Sequence, residues 1–156
     1  MVIPDNAGFK LAWRVWIYHD KLLTSFNGDK WIPKRKNVAE CCRLKMASAV
    51  GHSAKRLHPL WEPAPNSNCS CGIYAVKRMI PYTKPVYGES IGIPAGYGLS
   101  IAGKVALWGK VIEHEKGYRA EFAYPYELYV PVNRDILFSG LGEYDVPIIY
   151  YKREYR

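Results

Sequence analysis

The segment from Lys104 to Tyr124 constrains the fold of this chain more than any other part of its sequence. Lys104 to Glu113 alternates between an apolar face with Val105, Leu107 and Val111 and an aromatic and basic face with Lys104, Trp108 and Lys110, and a second β-type run covers Tyr118 to Tyr124. The intervening Glu115-Lys116-Gly117 has the composition of a tight turn. Because successive side chains of a strand point to opposite faces, this pattern predicts an antiparallel hairpin.

Further strands are predicted on both sides of this hairpin. They are Phe9 to Tyr18, Leu22 to Phe26, Lys30 to Pro33, Gly72 to Ile80, Tyr126 to Val130 and Val146 to Lys152. The first two are joined through Asp20-Lys21 and form an expected second hairpin, and Asn27-Gly28-Asp29 turns the chain into the third. Antiparallel strands therefore open the chain.

Helical structure is expected in two places only. Asn37 lies three residues before Glu40 in a capping-box-like arrangement, and apolar residues then recur at helical spacing until Gly51. Asn133 to Leu141 is expected to be a helix or a turn. Proline and glycine mark two long loops, His52 to Asn68 and Pro81 to Gly103.

These elements predict one domain that spans residues 1–156. A chain of 156 residues with 49% hydrophobic composition is long enough to bury a single core. The expected fold is α+β and mostly antiparallel β, as a small barrel-like or strongly bent sheet with one or two short helices.

The charge of the chain bears on its partners. It carries 22 Lys and Arg against 14 Asp and Glu, for a formal net charge of +8. A surplus of this size attracts polyanions such as DNA or RNA, although it also serves solubility alone. No apolar run approaches the roughly 20 residues that cross a bilayer, and the first residues lack the pattern of an export signal. We therefore expect a cytoplasmic protein with no membrane partner.

Two thiols one residue apart, Cys69 and Cys71, introduce the run CSCGIYAVK. In a reducing cytosol such a pair is more typical of metal ligands or packed thiols than of a disulfide. Residues i and i+2 of a strand face the same side, so both sulfurs could reach one ion. Packed thiols, a disulfide and a reactive thiol are the alternatives.

Three segments of the chain resemble a family of small, uncharacterised bacterial and phage proteins. The segments are W-R-V at Trp13 to Val15, C-x-C-G-I-Y-A at Cys69 to Ala75, and the LWG…EH…GYRAE…YP hairpin at Gly103 to Pro125. Together with the strands around them they cover about half of the chain. The resemblance implies a shared fold and no particular reaction.

The resemblance also implies a Cys and a His upstream of the C-x-C element. The candidates in this chain are Cys41 or Cys42 and His52 or His58. With Cys69 and Cys71, we take Cys41 and His58 as the predicted ligands of a structural zinc site, because thiolates and an imidazole suit tetrahedral zinc. The helical spacing also allows Cys41 and Cys42 to be ordinary core residues.

Two catalytic patterns are incomplete. Gly98 to Val105 matches a phosphate-binding loop except at its last position, where Val105 replaces the hydroxyl that would hold magnesium. His114-Glu115 lacks the second His of a zinc-protease helix. A hydrolase or nuclease would need His114 and the neighbouring carboxylates to converge in a cleft with Lys or Arg. The more ordinary interpretation is a solvated turn with cross-strand ion pairs.

Aromatic and cationic residues carry the functional prediction. Five Trp and 13 Tyr, interleaved with Lys and Arg, supply rings for unpaired bases and cations for phosphates. The predicted nucleic-acid-binding residues are Lys34, Arg35, Lys36, Lys104, Trp108, Lys110, Lys152 and Arg153. We therefore predict a small basic module that binds DNA or RNA, single-stranded or distorted, without catalysis.

Two other classes of function stay open. A modified-base or small-ligand reader would use an aromatic cage beneath the Pro81 to Gly103 loop, and a deep aromatic pocket would favour it. A phage- or plasmid-type factor that binds a host or partner protein complex would instead show an exposed apolar or charge-complementary patch.

Overall fold

The computed structural model of the protein describes residues 2–5, 8–41, 58, 62–79, 99–132 and 137–152. The regular structure of these residues is almost entirely β. Its strands are β1 (Lys10–His19), β2 (Leu22–Thr24), β3 (Lys30–Trp31), β4 (Asn37–Val38), β5 (Ile73–Val76), β6 (Leu99–Glu113), β7 (Gly117–Pro131) and β8 (Ile148–Tyr151). The 3-10 helix Leu141–Tyr144 precedes β8. Within the described part of the chain, no helix has the length and apolar character needed to cross a membrane.

The predicted hairpin is confirmed as the pair β6 and β7, each 15 residues long. Both strands are longer than predicted. β6 begins at Leu99, so the last residues of the expected Pro81 to Gly103 loop are strand instead, and residues 80–98 lie outside the described part of the chain. β7 runs without interruption through Pro125, and its register with β6 shifts there, because β7 carries one extra residue, Tyr126, opposite the step from Lys104 to Val105.

Four strands close into a ring of hydrogen bonds. β1 pairs antiparallel with β6 over nine residue pairs, from Lys10 to Tyr18. β5 bridges the other sides of the ring, pairing with β1 at Trp13 and with β7 from Ile73 to Val76. The confirmed N-terminal hairpin adds β2 and β3 beside β1, and β8 extends β7 in parallel. The described fold is therefore a mixed, β-rich sheet.

The prediction of a helix that starts at Asn37 is wrong for its first residues. Asn37 and Val38 form β4, which pairs with Ala123 and Phe122 of β7. The backbone N–H of Ala39 then donates to the carbonyl oxygen of Glu121 at 2.7 Å. These cross-strand bonds satisfy the backbone of the segment, so tertiary pairing prevails over the capping pattern. Residues 42–50 of the predicted helix lie outside the described residues.

The core fills the space between the sheet, the β2–β3 hairpin and the 3-10 helix. Trp16 and Trp31 pack edge to face with ring centroids 5.2 Å apart, and both side chains are buried. Trp108, which we expected on an open basic face, is only 7% exposed and packs on Phe122 of β7. Both faces of β6 are covered at this point, so the alternation along the strand does not indicate which side chains are exposed.

Tyrosine hydroxyls fasten the 3-10 helix to the sheet. The Tyr144 hydroxyl donates to the carbonyl oxygen of Trp31 and accepts the backbone N–H of Leu23 at 2.8 Å. The Tyr124 hydroxyl donates to the Tyr144 carbonyl at 2.9 Å. Burial raises the pKa of Tyr144 to about 12, so its hydroxyl stays protonated across the physiological range.

We expect Tyr144→Phe to lower the free energy of unfolding by about 1–3 kcal/mol, because the buried N–H of Leu23 loses its acceptor. The measurement is denaturant unfolding, compared with the matched control Tyr150→Phe. Tyr150 is 55% exposed, so its hydroxyl can bond to water in either state. Equal stability of the two variants would contradict the role of the Tyr144 hydroxyl.

Candidate metal centre and adjoining cleft

Four potential metal ligands meet at one point of the structure. They are Cys41, His58, Cys69 and Cys71, and their ligand atoms all lie within 4.8 Å of one another. The Cys41 and Cys69 sulfurs are 3.7 Å apart, and the Cys71 sulfur is 3.4 Å from His58 Nε2. The structure thus brings together the four ligands that the sequence predicted, and this group could hold a metal ion.

The two cysteines of the C-x-C element come from a turn and not from a strand. Both precede β5, which begins at Ile73. The N–H of Cys69 donates to the carbonyl of Asn66 at 3.1 Å, and the N–H of Asn68 donates to Asn66 Oδ1 at 2.9 Å. The prediction that Cys69 and Cys71 lie on a strand is therefore wrong, although their two sulfurs do lie close to the other potential ligands. An Asn-centred turn aims both side chains at one point instead.

Arg119 of β7 holds this turn in place. Its side chain is only 5% exposed, and Nη1 donates to the carbonyl oxygens of Asn66, Cys69 and Cys71. Nε donates to His114 Nε2 at 2.8 Å. A single guanidinium thus bonds three carbonyls of the turn that carries two of the four potential ligands. This role of Arg119 was missed in the sequence, because the acceptors are backbone atoms about 50 positions away.

The environment of the thiols suits a closed site. Cys41, Cys69 and Cys71 are buried, form a small cluster with Ala64, and are separate from the main core. Burial, with a smaller contribution from the neighbouring Cys69, raises the pKa of Cys71 to about 11. A bound cation would reverse this effect, because it favours the thiolate form that serves as ligand.

A cleft adjoins the cluster and has a volume of about 970 Å³. One wall comes from the 25–40 segment, the facing wall from β5, and Trp13 to Val15 of β1 lie between them. Its cationic side chains are Arg14, Lys30, Arg35, Lys36 and Lys116. Its rings are Trp13, Phe26, Trp31, Tyr74 and Tyr118. Asp29 and Glu40 are the carboxylates of its lining, so positive charge is in excess.

Only part of the predicted nucleic-acid site belongs to this cleft. Arg35 and Lys36 line it, and Lys36 Nζ lies 4.0 Å from the centroid of the Phe122 ring. Exposed Lys34 lies next to them in the chain. Lys104 is on β6, where its Nζ is 2.7 Å from a carboxylate oxygen of Glu127, so its charge is compensated locally.

The remaining predicted residues are not in the lining. Lys110 and Lys152 are exposed elsewhere, Trp108 is buried, and Arg153 lies outside the described residues. The seven predicted residues that the structure describes therefore do not form one surface. Tyr74 and Lys116 of the cleft were missed, since no local pattern relates them to the Lys34 to Lys36 run.

The residues of the possible hydrolase site are engaged in cross-strand contacts. Glu113 pairs with Lys77 of the neighbouring segment at 2.7 Å, and His114 accepts from Arg119. A Glu121 carboxylate oxygen accepts the backbone N–H of Lys110 at 2.9 Å. These contacts correspond to the more ordinary interpretation, in which the acidic and cationic groups stabilise the end of a hairpin.

Comparison with protein-family models, with curated proteins and with solved structures finds no significant match to this chain. The resemblance of its motifs to a bacterial and phage family therefore stays a prediction, and the function must be argued from the cleft and the Cys/His cluster themselves.

Proposed function

We propose that this protein is a nucleic-acid-binding module without catalytic activity, which binds an unpaired strand in the cleft and is braced by a zinc ion at the Cys/His cluster. The observation that carries the proposal is the composition of the cleft. Five cations and four aromatic side chains that are at least partly exposed line one concavity against two carboxylates, and Trp31 is buried beneath them. Cations for phosphates beside ring faces for bases are the two elements that single-strand binding requires.

The individual side chains support both parts of this interaction. Tyr74 lines the cleft and is 51% exposed, so part of its side chain is in contact with solvent there. Lys30, Arg35 and Lys116 are exposed and are placed to contact phosphates at its margin. Trp108 has no part in this site because it is buried.

Zinc is the ion that best suits the four ligands. In a tetrahedral zinc site, two sulfurs are about 3.8 Å apart and a sulfur and an imidazole nitrogen about 3.6 Å apart. The separations of 3.7 Å for Cys41 and Cys69 and 3.4 Å for Cys71 and His58 agree with this geometry. Three buried thiols and one imidazole fill all four positions, which is typical of a structural and not a catalytic site.

The zinc ion would connect the two walls of the cleft. Cys41 directly follows the wall segment that ends at Glu40, and Cys71 directly precedes the facing wall at Gly72. An ion bound to both cysteines cross-links the walls at a fixed separation. Metal binding and nucleic-acid binding are therefore expected to be coupled, since ligand-induced ordering of one site lowers the cost of ordering the other.

Fluorescence anisotropy with a single-stranded oligonucleotide tests the binding proposal. We expect affinity to fall steeply with salt concentration, and the Arg35→Gln/Lys36→Gln double variant to bind more weakly by about tenfold or more at low salt. Its slope of log affinity against log salt should also decrease by about 0.7 for each lost phosphate contact.

The matched control for this experiment is Lys110→Gln/Lys152→Gln. It removes the same charge from exposed positions outside the cleft, so we expect less change in affinity and in salt slope. Equal effects of the two double variants would show that binding depends on net charge and not on the cleft. The absence of any binding at low salt would overturn the proposed function.

The volume of the cleft favours a second candidate function, a reader of a modified base or of another small ligand. Its volume of about 970 Å³ lies within the range of about 300–1,000 Å³ that is usual for small-molecule sites. Such a reader would bind a mononucleoside or small aromatic compound with little dependence on salt. Tight binding of that kind, together with weak oligonucleotide binding, would favour this candidate.

A further inference from the structure

Arg14 occupies an unusual position on β1. Side chains two residues apart share a face of a strand, and Ala12, Trp16 and Tyr18 on the Arg14 face are all buried in the main core. Between Ala12 and Tyr18, Arg14 is the only charged residue on this face, and its side chain also lines the cleft. A cation on the core-facing side of a strand breaks the pattern of polarity, and such exceptions are concentrated at functional sites.

The guanidinium of Arg14 is held firmly in place. Nη1 donates to the carbonyl oxygen of Tyr74 on the facing wall, and Nη2 donates to Ser25 Oγ at 2.8 Å. The same hydroxyl accepts the Trp31 indole N–H at 2.8 Å. The guanidinium carbon lies 5.0 Å from the centroid of the Trp31 ring. These contacts orient the group without supplying a negative charge.

The positive charge of Arg14 lacks a direct counterion in the described part of the chain, where no carboxylate lies within ion-pair distance of it. Its Nε is buried and has no hydrogen-bond partner among the described residues. Burial lowers the pKa of Arg14 to about 10, an effect that the charge of Asp29 opposes, so the group is still protonated at neutral pH. A partly desolvated cation of this kind interacts strongly with an anion that reaches it.

We propose that Arg14 receives the terminal phosphate of a nucleic-acid strand whose end enters the cleft. This inference rests on the proposed function and specifies the substrate as a phosphorylated end. An internal phosphodiester carries chain on both sides and suits the exposed cations at the margin, namely Lys30, Arg35 and Lys116. A terminal phosphate monoester can enter a concave site end-on, carries more negative charge at neutral pH, and offers two or three oxygens to a guanidinium.

The test compares strands of one sequence, about ten nucleotides long, that differ only at their ends. One carries a 5′-phosphate, one a 3′-phosphate, and one has hydroxyl ends. A hydroxyl-ended strand one nucleotide longer controls for the added charge. We expect one phosphorylated end to bind the wild-type protein about tenfold more tightly than both hydroxyl-ended strands. The 5′ and 3′ forms show which end enters.

Variants then connect this preference to Arg14. Arg14→Met is expected to abolish the preference for the phosphorylated end, so that the phosphorylated and hydroxyl-ended strands bind this variant with equal affinity. Arg14→Lys keeps the charge and should keep part of the preference. Arg35→Gln is the comparison variant, because it should weaken binding of all strands by the same factor and leave their ratio unchanged.

The outcomes separate the two proposals. Equal affinity of the wild-type protein for all strands overturns the terminal-phosphate inference and leaves nucleic-acid binding intact. Failure to bind any strand overturns both. If Arg14→Met does not fold, as judged by circular dichroism, the wild-type comparison and Arg14→Lys still decide the matter. A preference that persists in Arg14→Lys and Arg14→Met alike also overturns the role of Arg14.

Discussion

Cys71→Ser is expected to abolish stoichiometric metal binding. Its free energy of unfolding should be lower than that of the metal-loaded wild-type protein by at least about 4 kcal/mol. The serine hydroxyl is a poor zinc ligand, and the remaining three groups leave one tetrahedral position without a protein ligand. The measurements are elemental analysis of purified protein and denaturant unfolding with and without a chelator. Chelation should destabilise the wild-type protein and have little effect on the variant.

Two substitutions control this experiment. Ser70→Ala changes the exposed residue between the two cysteines and should leave both metal content and stability as in wild type. Cys42→Ser removes the thiol next to Cys41 in sequence, and we expect metal content to be retained because the cluster contains Cys41. A Cys71→Ser protein with a full complement of metal and wild-type unfolding would refute the site.

Arg119→Met is expected to lower the free energy of unfolding by about 3 kcal/mol or more, with faster loss of metal to a chelator. The substitution leaves the carbonyls of Asn66, Cys69 and Cys71 without their shared donor in a buried setting. The turn that presents two potential ligands then loses its side-chain hydrogen bonds to β7 and keeps only the pairing of β5 that follows it. Arg119→Lys should be intermediate, because an ammonium has three donors and lacks the planar fork.

The control for Arg119 is Lys110→Met, which removes one cation from the same hairpin at an exposed position. Its effect on stability should be within about 0.5 kcal/mol. Chelator challenge of the two variants provides a second readout that simple loss of positive charge does not affect. If Arg119→Met loses stability but releases metal at the wild-type rate, the side chain stabilises the hairpin and does not position the ligands.

The strands were the most predictable part of the fold. Alternation between Lys104 and Glu113, followed by a turn at Lys116-Gly117, was sufficient to predict the pair β6 and β7. The turn at Asp20-Lys21, where both residues have positive φ, joined β1 and β2 as expected. These elements depend on neighbouring residues, so their signals are present in short stretches of sequence.

The potential ligands of the metal cluster could be predicted from the sequence, but the contacts that bring them together could not. Cys69 and Cys71 carried a local signal, and the resemblance to other proteins narrowed their partners to two cysteines and two histidines. The meeting of Cys41 with Cys69 depends on β4 pairing with β7 and on the turn at Asn66. The β4–β7 pairing has no sequence signature, because it joins segments that are distant along the chain, and the same is true of the bonds from Arg119 that hold the turn.

Local chemistry in the chain thus determined its β-rich character, its hairpins, its positive charge and its set of potential thiol and imidazole ligands. Tertiary structure alone decided that Trp108 is buried, that Asn37 begins a strand, and that Arg14 faces both the core and the cleft. The physical reason is that alternation specifies two faces of a strand but not what covers them. That choice is made by long-range contacts such as the one between Leu23 and Tyr144, 121 positions apart.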